Sequence, residues 1–546
     1  MQLTGLALPW KTKARRKTPR FLVPVMPGYV PDSPDTINPW RRRRRYIALA
    51  FAAFLYGFFY ALLPPAFLSI LLIPIAVLTF LIIWALPVTD RAPGKAMDNL
   101  FWAFWLSLML WPNYLALALP GLPWITVNRL FGGPLLLLLL IATSTSRPFR
   151  NQMSAMLSAT PWLWKMVVAF AVSGFFSSFF SSEIFATLNK FVNLQIVWTS
   201  IFFASVWVFR KPGAITMWAR IFVMMAIVTS IIGLFEARQQ QILWADSIPS
   251  FLKVEDPAVQ RLLDGTFRFD QYRVAATTMS PLSFAEFLAL STPFLIHFAL
   301  TSQRVAVWLL LLAADALIFV AILNTDARLG MVGFFFTHAI LGLFYAIRAW
   351  RGSKTSLFGP AITLAYPAML AVFIVLVFSI GRLRVLVMGD GSANVSSNAR
   401  EAQFDAMWPV LFKSPILGYG TGQGGPKLGF SGAGGSIVTV DSYIISIALD
   451  FGIIGFFLFY GLVVGGIVKT ASLAIKPGSG EGQMAIPLVV CMATFLTIKT
   501  VLSQEANNTI FFMMLGAMCA LAYRARVTAP TIQQRTSASR AIMPLA

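Results

Sequence analysis

Charge is what this chain has least of. Asp, Glu, Lys and Arg make up 12% of its 546 residues, against about 25% in an ordinary soluble domain. Hydrophobic residues reach 58% and mean hydropathy is +0.74, which excludes a soluble globular protein and leaves a polytopic membrane protein. Acids are the scarcer sign, 21 against 43 Lys and Arg, for a net charge of +22. In a soluble chain that surplus would suggest nucleic acid. Here the basic residues recur between apolar runs and form no aromatic-interleaved basic domain, so they report orientation, and nucleic acid is not expected as a partner. The two cysteines, Cys491 and Cys519, stand inside apolar runs and exclude a disulfide framework. The two histidines, His297 and His338, likewise lie in apolar runs without metal-ligand spacing, and they read as packing residues. GxxxxGK[ST], GxSxG and an outer DxD are all missing, and GTGQGG at 420–425 follows no strand. Neither a nucleotide, a cofactor nor a metal is expected.

What fills the chain is apolar runs long enough to cross a hydrocarbon core of about 30 Å as helix. They lie near 46–63, 66–88, 98–119, 122–143, 161–181, 191–209, 217–236, 281–300, 305–323, 329–349, 356–380, 438–467, 484–501 and 507–523. The expectation is an all-α protein of about fourteen transmembrane helices, since strand alternation is absent and backbone groups in lipid must bond within their own segment. Residues 1–45 form a basic tail ending in Arg41 to Arg45, where contact with anionic lipid is one reading, and 524–546 form a second tail. With both tails cytoplasmic, Arg91/Lys95, Arg147/Arg150, Arg210/Lys211, Arg304, Arg348/Arg351/Lys354, Lys469/Lys476 and Arg524/Arg526 all fall inside. Two long loops, about 237–280 and 381–437, then fall outside, and loops of that length are usually functional or disordered.

Charges on the outer side are few and clustered: Arg268 and Arg273, Asp326 and Arg328 in the turn NTDARLG, then Arg382, Arg384, Arg400, Lys413 and Asp441. Singly, each Arg reads as snorkelling to headgroups or pairing with Asp326, Glu401 or Asp405. Together, on separate outer segments, they fit a shared anion, because the guanidinium fork gives phosphate two parallel charge-assisted hydrogen bonds. Asp441, at the water boundary beside them, suits a general base or a group that positions an acceptor. Asp450, about 13 Å further along a helix, and Glu286, a turn or two inside its span, are functional or helix-bonding acids, the structural reading being ahead for both.

The run RVAATTMSPLSFAEFLALSTPF resembles the "R…G…P…A.yL…P" signature of the O-antigen ligase and Wzy-type polysaccharide polymerase superfamily, and NTDARLGMVGFF resembles its "S.SR" element. AREAQFDAMWPVLFKSPILGYGTG is similar to its outer "R…W……P..G.G" motif, and DSYIISIALDFGIIG to "hN.yl..l.e.G..G". WPNYLALALPGLPWITVNRL, with Arg129, resembles exopolysaccharide polymerases. The resemblance implies a metal-independent, inverting, GT-C-like membrane glycosyltransferase working on polyprenyl-diphosphate-linked sugar at the periplasmic face of a bacterial inner membrane. It implies Arg273, Arg328 and Arg400 on the diphosphate, with Arg328 and Arg400 stabilising the leaving charge and Asp441 as base. Arg129, Arg268, Lys413, Tyr419, Ser442 and Asp450 are further substrate-contact candidates. Where ligases of the family carry histidine at "hN", this chain has Asp441 followed by Ser442. That departure turns the reading toward a polymerase, with a ligase or a lipid-linked oligosaccharide flippase as alternatives. Membrane lipids, a chain-length regulator and export machinery are the partners this implies.

A cysteine-reactive tag placed in loop 381–437 is expected to be labelled from the periplasmic side of intact cells. Labelling only after the cytoplasm is opened would overturn the orientation.

Overall fold

A computed structural model describes residues 77–117, 125–254, 265–268, 271–352, 357–379, 392–430, 440–475 and 480–541, with residues 44, 47, 51, 54, 263 and 381 besides. Most of the expected span near 46–63, residues 66–76 of the one near 66–88, nearly all of tail 1–45, Arg382 and Arg384 lie outside the described residues. The chain divides into two compact units, Met1–Leu72 and Ile73–Ala546. The second unit holds the helix bundle.

The helices of the bundle are α1 (Gly94–Leu110), α2 (Val127–Thr145), α3 (Arg147–Leu157), α4 (Pro161–Ser178), α5 (Ile184–Leu194), α6 (Ser200–Phe209), α7 (Ala214–Gln239), α8 (Pro281–Thr301), α9 (Val305–Asn324), α10 (Arg328–Gly352), α11 (Phe358–Ser379), α12 (Ser392–Leu411), α13 (Gly424–Leu428), α14 (Tyr443–Ala474), α15 (Ala485–Lys499) and α16 (Asn508–Ala541). A π-helical turn, Gln195–Thr199, joins α5 to α6. Among the described residues, nine helices are long and apolar enough to cross a membrane, or ten if α3 and α4, bent by 107°, make one span. The protein is thus a mostly helical, multi-pass membrane protein, with nine or ten spans described against the fourteen expected.

The strand-free expectation does not hold. Five short strands lie among the described residues: β1 (Leu115–Leu117), β2 (Ile125–Thr126), β3 (Leu252–Val254), β4 (Phe267–Arg268) and β5 (Gln271–Tyr272). They form a sheet in the order β2-β1-β3 and a β4-β5 hairpin, with every pairing antiparallel. The span expected at 98–119 stops at Leu110 because Pro112 follows: Trp111 is driven to an extended φ of -110° and ψ of 135°, the conformation a residue before proline prefers. The next span begins at Val127 rather than 122, where Thr126 caps it by accepting from the Arg129 N–H. The long loop 237–280 therefore supplies β3 to pair with β1, over a small core of Tyr114, Leu115, Ile242 and Ala275. Loop 381–437 carries α12 and α13.

The centre of the bundle is α8, 78% of whose membrane window is buried against 22% for its neighbour α9. α8 is the less apolar of the two, with mean hydropathy 1.4 against 2.7: a helix carrying Glu286, Ser291, Thr292 and His297 turns them to protein, while a more apolar one can face lipid. α8 packs on α7, α9, α10 and α15, and the stack of Trp105 on Trp218, with ring centroids 5.4 Å apart, extends the core through Phe222 and Phe294. Lys211 pairs with Asp98, Arg524 donates to the Lys211 carbonyl, and Lys95 and Arg210 line a cavity with Lys211 and Asp98, so these basic residues meet at one end. The starts of α8, α10, α14 and α16 form the other end, called here the site end.

α14 is broken. Gly452 takes φ 65° and ψ -169°, and the loop after α12 docks into the break, with Tyr419 N–H donating to Leu449 O at 2.8 Å and Ile453 N–H to Pro415 O at 2.8 Å. Gly418, at φ 71°, lies so close that a Cβ there would sit 2.5 Å from Leu449 O. Only glycine meets both demands. Gly418→Ala is expected to lower thermal stability in detergent by roughly 1–3 kcal/mol more than Gly213→Ala, whose φ of 86° is likewise left-handed but whose Cβ would meet nothing within 4 Å. Equal losses would contradict the docking.

Candidate active site

Three buried carboxylates shape the site end. Glu236, in the last turn of α7 and 1% exposed, accepts from Tyr272 Oη at 3.0 Å, from Ala275 N at 2.9 Å and from Ala276 N at 2.7 Å. A carboxylate taken out of water needs such donors, and here they come from one bend. That bend holds Arg273, which donates from Nε to Thr325 O at 2.9 Å and from Nη2 to Asp326 O at 3.4 Å. Val274 N–H adds a bond to Asn324 O at 3.0 Å. Asp326 takes φ 48°, and Arg328 opens α10 two residues later. Arg273 and Arg328 are therefore brought to one turn.

Arg400 and Asp441 line a cavity of about 340 Å³ together with Leu282, Leu502, Ser503 and Gln504. Arg400 Nε is buried in it without a hydrogen-bond partner. α12 fixes Asp441 through its next turn: the Asp441 N–H donates to Gln403 Oε1 at 2.9 Å. Leu282 and Leu502 pack in one small cluster with Leu329, the residue after Arg328, so the cavity and the Arg273/Arg328 turn share that apolar floor.

Beneath the floor lies the second carboxylate. Glu286 and Lys499 are both fully buried and paired at 3.0 Å. Asn507 Nδ2 donates to Glu286 Oε2 at 3.0 Å and to Ser283 O at 2.8 Å, and Lys499 donates to Gln504 O. The pair thus fastens segment 500–507, one wall of the cavity. Glu286 has the structural role that was ahead in the sequence.

The third carboxylate is Asp450, 2% exposed. Gly422 N–H and Gly424 N–H donate to its two oxygens at 2.8 and 2.7 Å, and Ser177 Oγ donates to its carbonyl at 2.7 Å. The glycine loop that imitates a phosphate cradle holds the protein's own carboxylate. Residues 453–474, after the break, span about 33 Å as helix, enough to cross a membrane alone. Asp450 thus stands beside the break, where the loop docks.

The other candidates are dispersed. Tyr419 Oη donates to Val410 O at 2.7 Å and tightens the loop; Lys413 is exposed beyond α12. Ser442 Oγ donates to Thr500 O at 3.4 Å. Arg129 Nε donates to Asn193 Oδ1 at 3.0 Å, one helical turn from Lys190, which pairs with Glu505 at 3.5 Å. Arg268 sits on β4 opposite Gln271. His338, read as packing, bonds Asp315 at 3.1 Å, and His297 bonds Tyr345 Oη at 2.5 Å. Glu236, Lys499, Lys190, Glu505 and Asp315 were not singled out from the sequence. An ionisable residue within or at the end of an apolar run was the available signal for the first two and for Asp315.

Residues 286–460 match the family model described as O-Antigen ligase. The match supports the O-antigen ligase/Wzy-type superfamily and covers about a third of the chain. It runs from Glu286 on α8 to Tyr460 on α14, so Arg328, Arg400, Asp441 and Asp450 all lie inside the matched segment, and Arg273 just before it. No curated protein matches the chain. The family indicates a membrane enzyme of the ligase or polymerase type that acts on lipid-linked oligosaccharides.

Glu286→Gln strands the Lys499 ammonium in the core and is expected to cost roughly 3–5 kcal/mol, whereas Glu286→Gln with Lys499→Met recovers most of it. Thermal unfolding of the purified variants tests this; a double variant no more stable than the single one would contradict the buried pair.

Proposed function

We propose that the chain is a polysaccharide polymerase. It transfers a growing glycan from its polyprenyl diphosphate to another lipid-linked repeat unit at the periplasmic face of a bacterial inner membrane, alongside a chain-length regulator and export machinery. The observation that carries this reading is the cavity shared by Arg400 and Asp441, whose apolar floor also supports the Arg273/Arg328 turn.

In this reading the three arginines bind the diphosphate. The acceptor hydroxyl oxygen attacks the anomeric carbon from the side opposite the diphosphate. The carbon–oxygen bond to phosphorus breaks with inversion, and its electron pair leaves on the diphosphate. The hydroxyl proton passes to the Asp441 carboxylate. Charge grows on the leaving diphosphate as the bond breaks, so fixed guanidinium donors act most strongly in the transition state. The unpartnered Arg400 Nε suits that task. No metal is required in this scheme.

Asp441 with Ser442, in place of the family's ligase histidine, favours polymerisation over ligation. A transporter would be expected to gather its ionisable groups near the midplane in discontinuous helices, whereas here Arg273 stands in the bend before α8, Arg328 at the start of α10, and Arg400 on α12 in the connection between α11 and α14.

In membrane vesicles supplied with lipid-linked repeat units, Arg400→Ala and Arg328→Ala are each expected to lower the transfer rate by roughly 10²–10³-fold with the protein still inserted. Asp441→Asn is expected to lower kcat with KM little changed. Normal rates in the arginine variants would remove them from the site, and an unchanged kcat would remove Asp441 as the base.

A further inference from the structure

At the basic end, far from the arginine site, a second cavity of about 320 Å³ opens among the start of α1, the turn into α3 and the end of α6. Lys95, Arg210 and Lys211 line it, with Asp98 as their acidic neighbour. Asp98 Oδ2 binds Lys211, while its Oδ1 is buried without a partner. The N-terminus of α1 opens here, since Gly94 and Lys95 are lining residues and the helix has no acid in its first turn, whereas the start of α3 is already capped by Ser146, which accepts from the Phe149 N–H. Helix N-termini favour anions through their free N–H groups and the macrodipole.

An independent observation points to a ligand. Trp207 also lines the cavity and is 5% exposed, yet its Nε1–H has no hydrogen-bond partner. A Cβ at Gly94 would lie 3.7 Å from that nitrogen, so the indole N–H faces the cavity wall formed by the α1 terminus. A buried donor left unmet costs roughly 1–3 kcal/mol. Arg210 is held beside it: its guanidinium lies 3.5 Å above the Trp207 ring centroid and Nη1 donates to Trp207 O at 2.5 Å. One fixed guanidinium, two ammonium groups, an unmet indole donor and the α1 N-terminus therefore face one space. The unmet Asp98 oxygen adds an acceptor.

We propose that this cavity binds a phosphate group that carries a neighbouring hydroxyl. The phosphate takes the Trp207 N–H, Arg210, Lys95 and Lys211, and the hydroxyl donates to Asp98 Oδ1. Two sources offer that chemistry, the headgroup of an anionic membrane lipid and a soluble phosphate ester. Basic pockets between membrane helices suit anionic headgroups.

The test uses the purified full-length protein in detergent, with thermal unfolding and native mass spectrometry as readouts. Short-chain phosphatidylglycerol is expected to raise the melting temperature saturably, whereas phosphatidylcholine, without a headgroup hydroxyl or net charge, does not. Lys95→Glu is expected to weaken the phosphatidylglycerol effect by about fivefold or more. Trp207→Phe, which keeps a ring but removes the N–H, should weaken it too; Lys95 is exposed, so its variant decides the matter even if Trp207→Phe fails to fold. Glycerol phosphate that displaces the lipid at millimolar concentration supports the site with a soluble ester as ligand, and lipid binding that glycerol phosphate leaves unchanged supports it with a membrane lipid. Equal responses to phosphatidylglycerol and phosphatidylcholine, no response to phosphatidylglycerol or glycerol phosphate, or full affinity in Lys95→Glu would overturn the proposal.

Discussion

A carboxylate removed from water must be met by donors, because the cost of burying it unmet exceeds what a membrane bundle can absorb. At the site end this demand is answered three times. Glu236 draws in the bend at 272–276, Glu286 with Lys499 and Asn507 draws in segment 500–507, and Asp450 draws in the glycine loop. Each of these segments would otherwise be an open connection between spans. Each ends up fixed to the bundle by charge that lipid and water cannot reach.

The candidate chemistry stands directly on those attachments. The bend fixed by Glu236 positions Arg273 over the turn that leads into Arg328. Segment 500–507, fixed by Glu286 and Lys499, walls the cavity of Arg400 and Asp441. The loop fixed by Asp450 follows α12, which carries Arg400 and, through Gln403, holds Asp441. Structural acids and proposed functional arginines thus form two layers, and preorganised donors of this kind are what transfer from a charged leaving group requires.

Much of this was legible in the sequence, for physical reasons. Hydropathy located the spans from α5 through α10 and from α14 through α16, because a helix in lipid must be apolar over its full length. It failed at 111–126, where the residues are apolar enough for a span but Pro112 stops the helix and the chain pairs as β1 and β2 instead. The outer arginines stood out against the distribution of basic residues, and the motif order brought out Arg273, Arg328, Arg400 and Asp441 together. The supporting layer was hidden. Glu236 meets amides about 40 residues away and Glu286 meets Lys499 and Asn507 more than 200 residues away, contacts that no local pattern encodes. The glycine loop at 420–425, set aside as a nucleotide loop because no strand precedes it, gives two amides to Asp450, a partner that its sequence does not indicate.

The most direct measurement of the central claim is incubation of the purified protein with a polyprenyl-diphosphate-linked repeat unit alone, without nucleotide sugar or added metal, and separation of the products by size. The account predicts a ladder of lengthening glycans with one polyprenyl diphosphate released for each transfer. A substrate that stays intact while the protein binds it or moves it across vesicles would contradict the account and make the protein a transporter.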